Sequence, residues 1–156
     1  MKISDILNEE LVVTGLHGNS KEEIIDSMID LVATSTKVLD KEKVREAIFE
    51  REKIMSTGVG NGFAIPHGKT DAVSDIVAAF AVTANPIDYQ SLDEKPVRLV
   101  FLLVGKDNMV GPHIKLLSRI SRLMNKEEFR KRLMNLKSPK EIIETFKQEE
   151  ATYFEV

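Results

Sequence analysis

Two apolar runs, Ile76–Thr83 (IVAAFAVT) and Val97–Val104 (VRLVFLLV), are nearly continuous rather than alternating. A strand with one face in water alternates apolar and polar residues, so runs like these belong to central strands covered on both faces. The chain must therefore supply helices for two sides of one sheet. Ser20-Lys-Glu-Glu23 reads as a capping box, after which Ile24, Ile25, Met28, Ile29 and Val32 share one face of a helix. Asp40 can cap a second helix over residues 41–53, with Val44, Ala47 and Ile48 inward and then, on the same face, Arg51. Pro112 suits a first helical turn, and His113, Leu116, Leu117, Ile120, Leu123 and Met124 line one side of that helix. Helices over 126–136 and 139–147 close the chain, the latter opened by Ser138-Pro-Lys-Glu141. The pattern predicts an α/β fold, a small sheet with helices on both faces.

Composition narrows what such a fold can do. A chain of 156 residues, 42% hydrophobic and 30% charged, is ordinary for one globular domain, here 1–156. With 22 Lys and Arg against 25 Asp and Glu, the net charge of −3 offers no overall field to gather nucleic acid or an anionic membrane. No apolar stretch approaches the roughly 20 residues that span a bilayer, and the acidic opening MKISDILNEE is unlike a signal peptide. A cytoplasmic protein without membrane insertion is expected. Zero cysteines remove thiol nucleophiles, so a nucleophile must be nitrogen or oxygen.

The segment from Ser56 to Gly68 (STGVGNGFAIPHG) carries several of the glycines and one proline, and it reads as loop with Phe63-Ala-Ile65 as its strand-like piece. In it His67 sits between Pro66, whose ring restricts the backbone, and Gly68. A neutral imidazole held by stiff backbone can attack an electrophile without a separate base, and phosphorus is the natural one; the plain alternative is a histidine filling a turn. Arg51, the hydroxyls of Ser56 and Thr57 and the amides around Gly58, Gly60 and Gly62 are candidates to hold phosphoryl oxygens. Phosphoryl transfer depends on offsetting charge on those oxygens, which an inward guanidinium does. Arg51 could equally be a cation snorkelling at a helix C-terminus. His113, in a helix's first turn, could donate to His67 or to a phosphate on it, or could be a core histidine. His17 stands beside no comparable cluster.

Two other chemistries fail on spacing. Gly62–Thr70 (GFAIPHGKT) ends like a phosphate-binding P-loop, but that motif has four residues between its glycines and here Gly62 and Gly68 enclose five. The dispersed histidines form no metal-binding pattern, so neither a metal nor an organic cofactor is expected. The basic stretch 115–137 reads as a solvated helix face that could meet an acidic partner.

The segment Glu50-Arg51-Glu-Lys-Ile-Met-Ser56-Thr57-Gly58-Val-Gly60-Asn61-Gly62-Phe-Ala64-Ile65-Pro66-His67-Gly68-Lys69 closely resembles the enzyme IIA domains of the fructose–mannitol class in the bacterial phosphoenolpyruvate:sugar phosphotransferase system. A second signature of that class, a histidine opening a Leu-rich helix, is matched from Gly111 to Met124, and the similarity runs over residues 3–147. The resemblance implies a mixed, mostly parallel sheet flanked by helices and a phosphohistidine relay. In that relay the carrier HPr phosphorylates His67, which passes the group to a cysteine of enzyme IIB and so indirectly serves the membrane component IIC. His113 matches the family's second active-site histidine and Arg51 its arginine beside the phosphoryl group. Met55 and Phe63 stand where smaller or aliphatic residues are usual. Nitrogen-regulatory IIA-like proteins share the histidine loop and act by binding targets according to phosphorylation state. The ending Asn125-Lys-Glu-Glu-Phe-Arg and Ser138-Pro-Lys-Glu-Ile-Ile looks more like the fructose-type carriers.

Overall fold

The computed structural model describes residues 2–154. In chain order the elements are α1 (Ile3–Ile6), a 3-10 turn (Glu9–Leu11), β1 (Val12–Leu16), α2 (Lys21–Val32), α3 (Lys41–Ile54), β2 (Gly58–Gly60), β3 (Phe63–Ala64) and β4 (His67–Lys69). They continue with β5 (Val77–Ile87), β6 (Val97–Gly105), α4 (Val110–Met124), α5 (Glu127–Asn135) and α6 (Pro139–Phe154). The strands form one mixed sheet in the order β1-β5-β6-β3-β2, with β4 also paired to β6. β1 runs parallel to β5, and β3 and β4 run parallel to β6. The long central pair, β5 with β6, is antiparallel and sets Phe80 opposite Phe101.

Burial follows the pleat of those two strands. Phe80, Val82, Leu99, Phe101 and Leu103 face one core, where they meet α1, α4, α5 and α6. There Phe146 of α6 packs edge-on against Phe80 at 5.2 Å, Phe101 at 5.8 Å and Phe129 at 5.2 Å between ring centres. Val77, Ala79, Ala81, Val100, Leu102 and Val104 face a second core under α2 and α3. The alanines on that face of β5 leave room for the larger Ile24, Ile25 and Met28 of α2, so the two surfaces interlock. No helix among the described residues is long and apolar enough to cross a membrane.

The helix starts use the caps that the sequence suggests. Ser20 Oγ accepts the Glu23 N–H at 3.2 Å, although the Glu23 carboxylate reaches back one residue further than the motif requires, to the Asn19 N–H at 2.8 Å. Asp40 accepts from Glu42 at 3.1 Å and Lys43 at 3.3 Å. Ser138 accepts the Glu141 N–H at 3.2 Å.

Several expectations are corrected. The stretch expected as loop from 56 to 68 holds parts of three short strands, and His67 is the first residue of β4 rather than a loop residue. β3 and β4 lie end to end along β6, and Pro66, with no N–H to donate, separates them while its carbonyl still accepts from Leu103 at 3.0 Å. Gly60, Asn61 and Gly62 all take positive φ, which folds β2 back on β3. β5 runs beyond Thr83, where its apolar run ends in sequence, and continues past a shift in register to Ile87. α6 runs on to Phe154 because Glu150, outwardly a surface residue in sequence, is buried and accepts the Ile3 and Ser4 N–H groups at 2.7 and 2.9 Å and Arg119 Nε at 3.2 Å.

Candidate functional site

A cavity of about 520 Å³ opens between the end of α3, β4 and the start of α4, and Arg51, His67, Lys69, Asp107, His113 and Leu117 line it. Two close contacts shape its walls. β4 lies against α3 so closely that a Cβ on Gly68 would stand 3.1 Å from the Ala47 carbonyl carbon, so glycine is what lets strand and helix touch. In an extended strand residues i and i+2 share a face, so Lys69 stands on the same side as His67. On the other wall a Cβ on Gly105 would come within 2.5 Å of His113 Nδ1, so the second imidazole lies directly on the backbone at the end of β6.

His67 is half-buried, and its Nδ1 lies 2.8 Å from the carbonyl oxygen of Ile65. A carbonyl only accepts, so the neutral ring carries its proton on Nδ1 and its lone pair on Nε2. Burial lowers the proton affinity of the ring below that of a free imidazole; the Ile65 carbonyl opposes this, and the Arg51 cation reinforces it. The ring is thus neutral, and Nε2 available, at physiological pH.

His113 is only 3% exposed and its ring centre lies 5.9 Å from that of His67, the planes inclined at 48°. Burial first, and then the neighbouring His67 and Lys69, push its pKa down to about 4. Nδ1 of His113 is enclosed with no hydrogen-bond partner. An enclosed donor without an acceptor costs more than an enclosed acceptor without a donor, so the neutral ring keeps its proton on Nε2. That tautomer can donate a hydrogen bond.

This histidine makes stability depend on pH. Unfolded, an imidazole takes up a proton near pH 6.5; folded, His113 does so only near pH 4. The unfolded state therefore binds the extra proton first. Stability is expected to fall as pH drops through that interval and to level off below it. Urea titrations at pH 7.5, 6, 5 and 4 check this, and a His113→Leu variant is expected to show a flatter dependence.

Arg51, half-buried in the last turn of α3, donates from Nη1 to the Met55 carbonyl at 2.8 Å and also lines the cavity. It combines a cap on its own helix with a place beside His67. Ser56, Thr57 and Gly58 are not brought to the cavity wall. The Thr57 hydroxyl, 2% exposed as a residue, donates to Glu52 and lies 2.9 Å from the Tyr89 hydroxyl. Ser56 Oγ accepts the Gly58 N–H at 3.1 Å and faces the Tyr89 carbonyl at 3.5 Å. Beside them, burial and the neighbouring Glu52 carboxylate push the Tyr89 phenol above its usual range. His17 is exposed beyond the end of β1.

Lys69 and Asp107 were not among the residues that sequence reasoning selected. The signal for Lys69 is its two-residue spacing from His67, readable only once β4 is known to be a strand. Asp107 sits in the turn between β6 and α4, where nothing in the local pattern marks it. Along the basic stretch, Arg119 pairs with Glu150, Lys131 with Glu127 and Arg132 with Glu149, so part of its charge is answered within the chain.

Comparison with known proteins identifies a family for the chain. Residues 5–149 match the family model described as phosphoenolpyruvate-dependent sugar phosphotransferase system, EIIA 2. The chain is 36% identical over 148 residues to a fructose-specific EIIABC component from Bacillus subtilis, a match that takes in 95% of this chain and 23% of that much longer protein. It is 37% identical over 133 residues to a nitrogen regulatory protein from Bradyrhizobium diazoefficiens, with 85% of this chain and 86% of the relative covered. The crystal structure of the nitrogen regulatory protein IIA-Ntr from Neisseria meningitidis superposes with a TM-score of 0.86 at 32% identity, over 92% of this chain and 98% of that one.

Proposed function

Because the chain belongs to the EIIA 2 family of the phosphoenolpyruvate-dependent sugar phosphotransferase system, we propose that it is a cytoplasmic phosphoryl carrier that holds the group on Nε2 of His67. The observation that carries this reading is the 2.8 Å contact of His67 Nδ1 with the Ile65 carbonyl, which leaves the other nitrogen with a lone pair in a cavity shared with Arg51 and His113. The Nε2 lone pair attacks the phosphorus of phosphorylated HPr; a P–N bond forms as the donor's P–N bond breaks, and the donor imidazole leaves with its electron pair. Nδ1 keeps its proton and its hydrogen bond throughout, so no proton has to move on His67. Arg51 offsets charge on the phosphoryl oxygens, and the neutral His113 donates to them. In the second step a cysteine thiolate of an enzyme IIB attacks the same phosphorus, and His67 departs as neutral imidazole.

Incubation with phosphoenolpyruvate, enzyme I and HPr tests the reading, with a panel of IIB proteins then offered as acceptors. Rapid discharge to a fructose-type IIB supports a carrier for sugar uptake, in line with the Bacillus subtilis relative and the fructose-like ending of the sequence. A second reading, regulation of a target according to the charge of His67, is favoured by the nitrogen regulatory relatives, which match this chain over most of their own length. Pull-downs with phosphorylated and unphosphorylated protein separate the two: partner sets that differ with phosphorylation and no discharge to any IIB favour regulation.

A further inference from the structure

Glu52 follows Arg51 in sequence, yet its side chain turns into the protein and the residue is only 8% exposed. Its carboxylate gathers four donors: the Thr57 N–H at 2.8 Å, the Thr57 hydroxyl, the Tyr89 hydroxyl at 3.3 Å and the Lys21 ammonium at 2.8 Å. These come from three places in the chain, the first residue of α2, the segment leaving α3, and the connection between β5 and β6. Lys21 is further seated over the Tyr89 ring, 4.9 Å from its centre. A buried ion pair contributes little net stability against hydrophobic packing of similar volume, because desolvation offsets its attraction. What the cluster does supply is fixed geometry.

The segment it fixes is the one that holds Arg51. Ile54 and Met55, the residues between Glu52 and Ser56–Thr57 that could have packed into the core, are 79% and 55% exposed. The turn is therefore held by polar contacts rather than by burial. From it the Met55 carbonyl accepts Arg51 Nη1 at 2.8 Å. We propose that Glu52 is a positioning residue: by clamping Thr57 it sets the turn at 55–57, the Met55 carbonyl then holds the Arg51 guanidinium, and the cation is already placed beside His67 when a phosphoryl group arrives. A guanidinium fixed in advance loses less freedom on engaging the transferring group than one that must be gathered from solvent. The proposal rests on the reading of Arg51 given above and adds the means by which it is aimed.

The test is a double-mutant cycle on the full chain, read as the single-turnover rate of transfer from phosphorylated HPr, with melting curves to establish folding. Glu52→Gln is expected to slow transfer roughly tenfold, as for residues coupled through one network. In an Arg51→Ala background the same substitution is expected to cost nothing more. A folded Glu52→Gln protein that transfers at the wild-type rate, or slowing that persists in full without Arg51, overturns the proposal. Should Glu52→Gln fail to fold, Thr57→Val removes the hydroxyl half of the link while the backbone N–H of residue 57 still donates to Glu52, so a smaller slowing with the same dependence on Arg51 is expected. Slowing by Thr57→Val that survives loss of Arg51 would show that the hydroxyl acts by a route other than Arg51 and overturn the clamp. An Arg51→Ala protein that transfers at full speed would instead overturn the underlying reading of Arg51.

Discussion

His67→Gln is expected to accept no acid-labile, alkali-stable label from phosphoenolpyruvate, enzyme I and HPr, while melting close to the wild-type protein. Glutamine keeps polarity and approximate size but has no nitrogen lone pair to attack phosphorus. The cost to folding is expected to be small, since the ring is half-buried and its hydrogen bond to the nearby Ile65 carbonyl is worth about 1 kcal/mol. Label that persists unchanged would place the acceptor elsewhere, on His113 or His17. His113 is the less suited of the two to compete, because it is buried and its neutral tautomer carries the proton on Nε2.

Arg51→Ala is expected to slow transfer by about a hundredfold, the order found when one preorganised charge or donor is removed from a transition state. Stopped-flow or rapid-quench transfer from phosphorylated HPr measures it. Stability is expected to change by no more than about 1 kcal/mol, since the fold loses a single partly exposed hydrogen bond to Met55. Arg51→Lys is expected to recover only part of the rate, because an ammonium restores the charge without the planar fork that meets two oxygens at once. Equal rates for wild type and Arg51→Ala would return the residue to the role of a helix cap.

The central strands were legible because their two faces are both covered, which leaves a continuous apolar run as the trace in sequence. Of the helices, α2, α3 and α6 were legible because Ser20, Asp40 and Ser138 cap them with their own side chains, and α4 and α5 by the spacing of their apolar residues, whereas the single turn of α1 left no such trace. β1 was not, since Thr14 and Gly15 interrupt its pattern and its register slips between Thr14 and Leu16 against β5. β4 was hidden by Pro66 and Gly68, residues that usually mark a loop; here one separates two strand segments and the other admits α3. The last turns of α6 depend on a burial of Glu150 that only the folded chain creates.

Arg51, His67 and His113, the candidates that line one cavity, stand out in sequence because each departs from its local pattern: a cation on an apolar stripe, an imidazole in a stiff turn, an imidazole on a Leu-rich face. Thr57 and Ser56 were chosen by nearness in sequence to His67, but nearness along the chain is a poor guide where the backbone turns. Their hydroxyls are engaged with Glu52, Gly58 and Tyr89 on the far side of that turn. Glu52 itself gave no signal, because a glutamate inside the run Glu50-Arg-Glu-Lys53 reads as solvent-facing charge.

The most direct measurement is phosphorus–nitrogen correlation by NMR on the phosphorylated, 15N-labelled protein. The account predicts a single phosphohistidine, at residue 67, with phosphorus coupled to Nε2 and a proton retained on Nδ1. Phosphorus coupled to Nδ1 of that ring, or to any other residue, would contradict it.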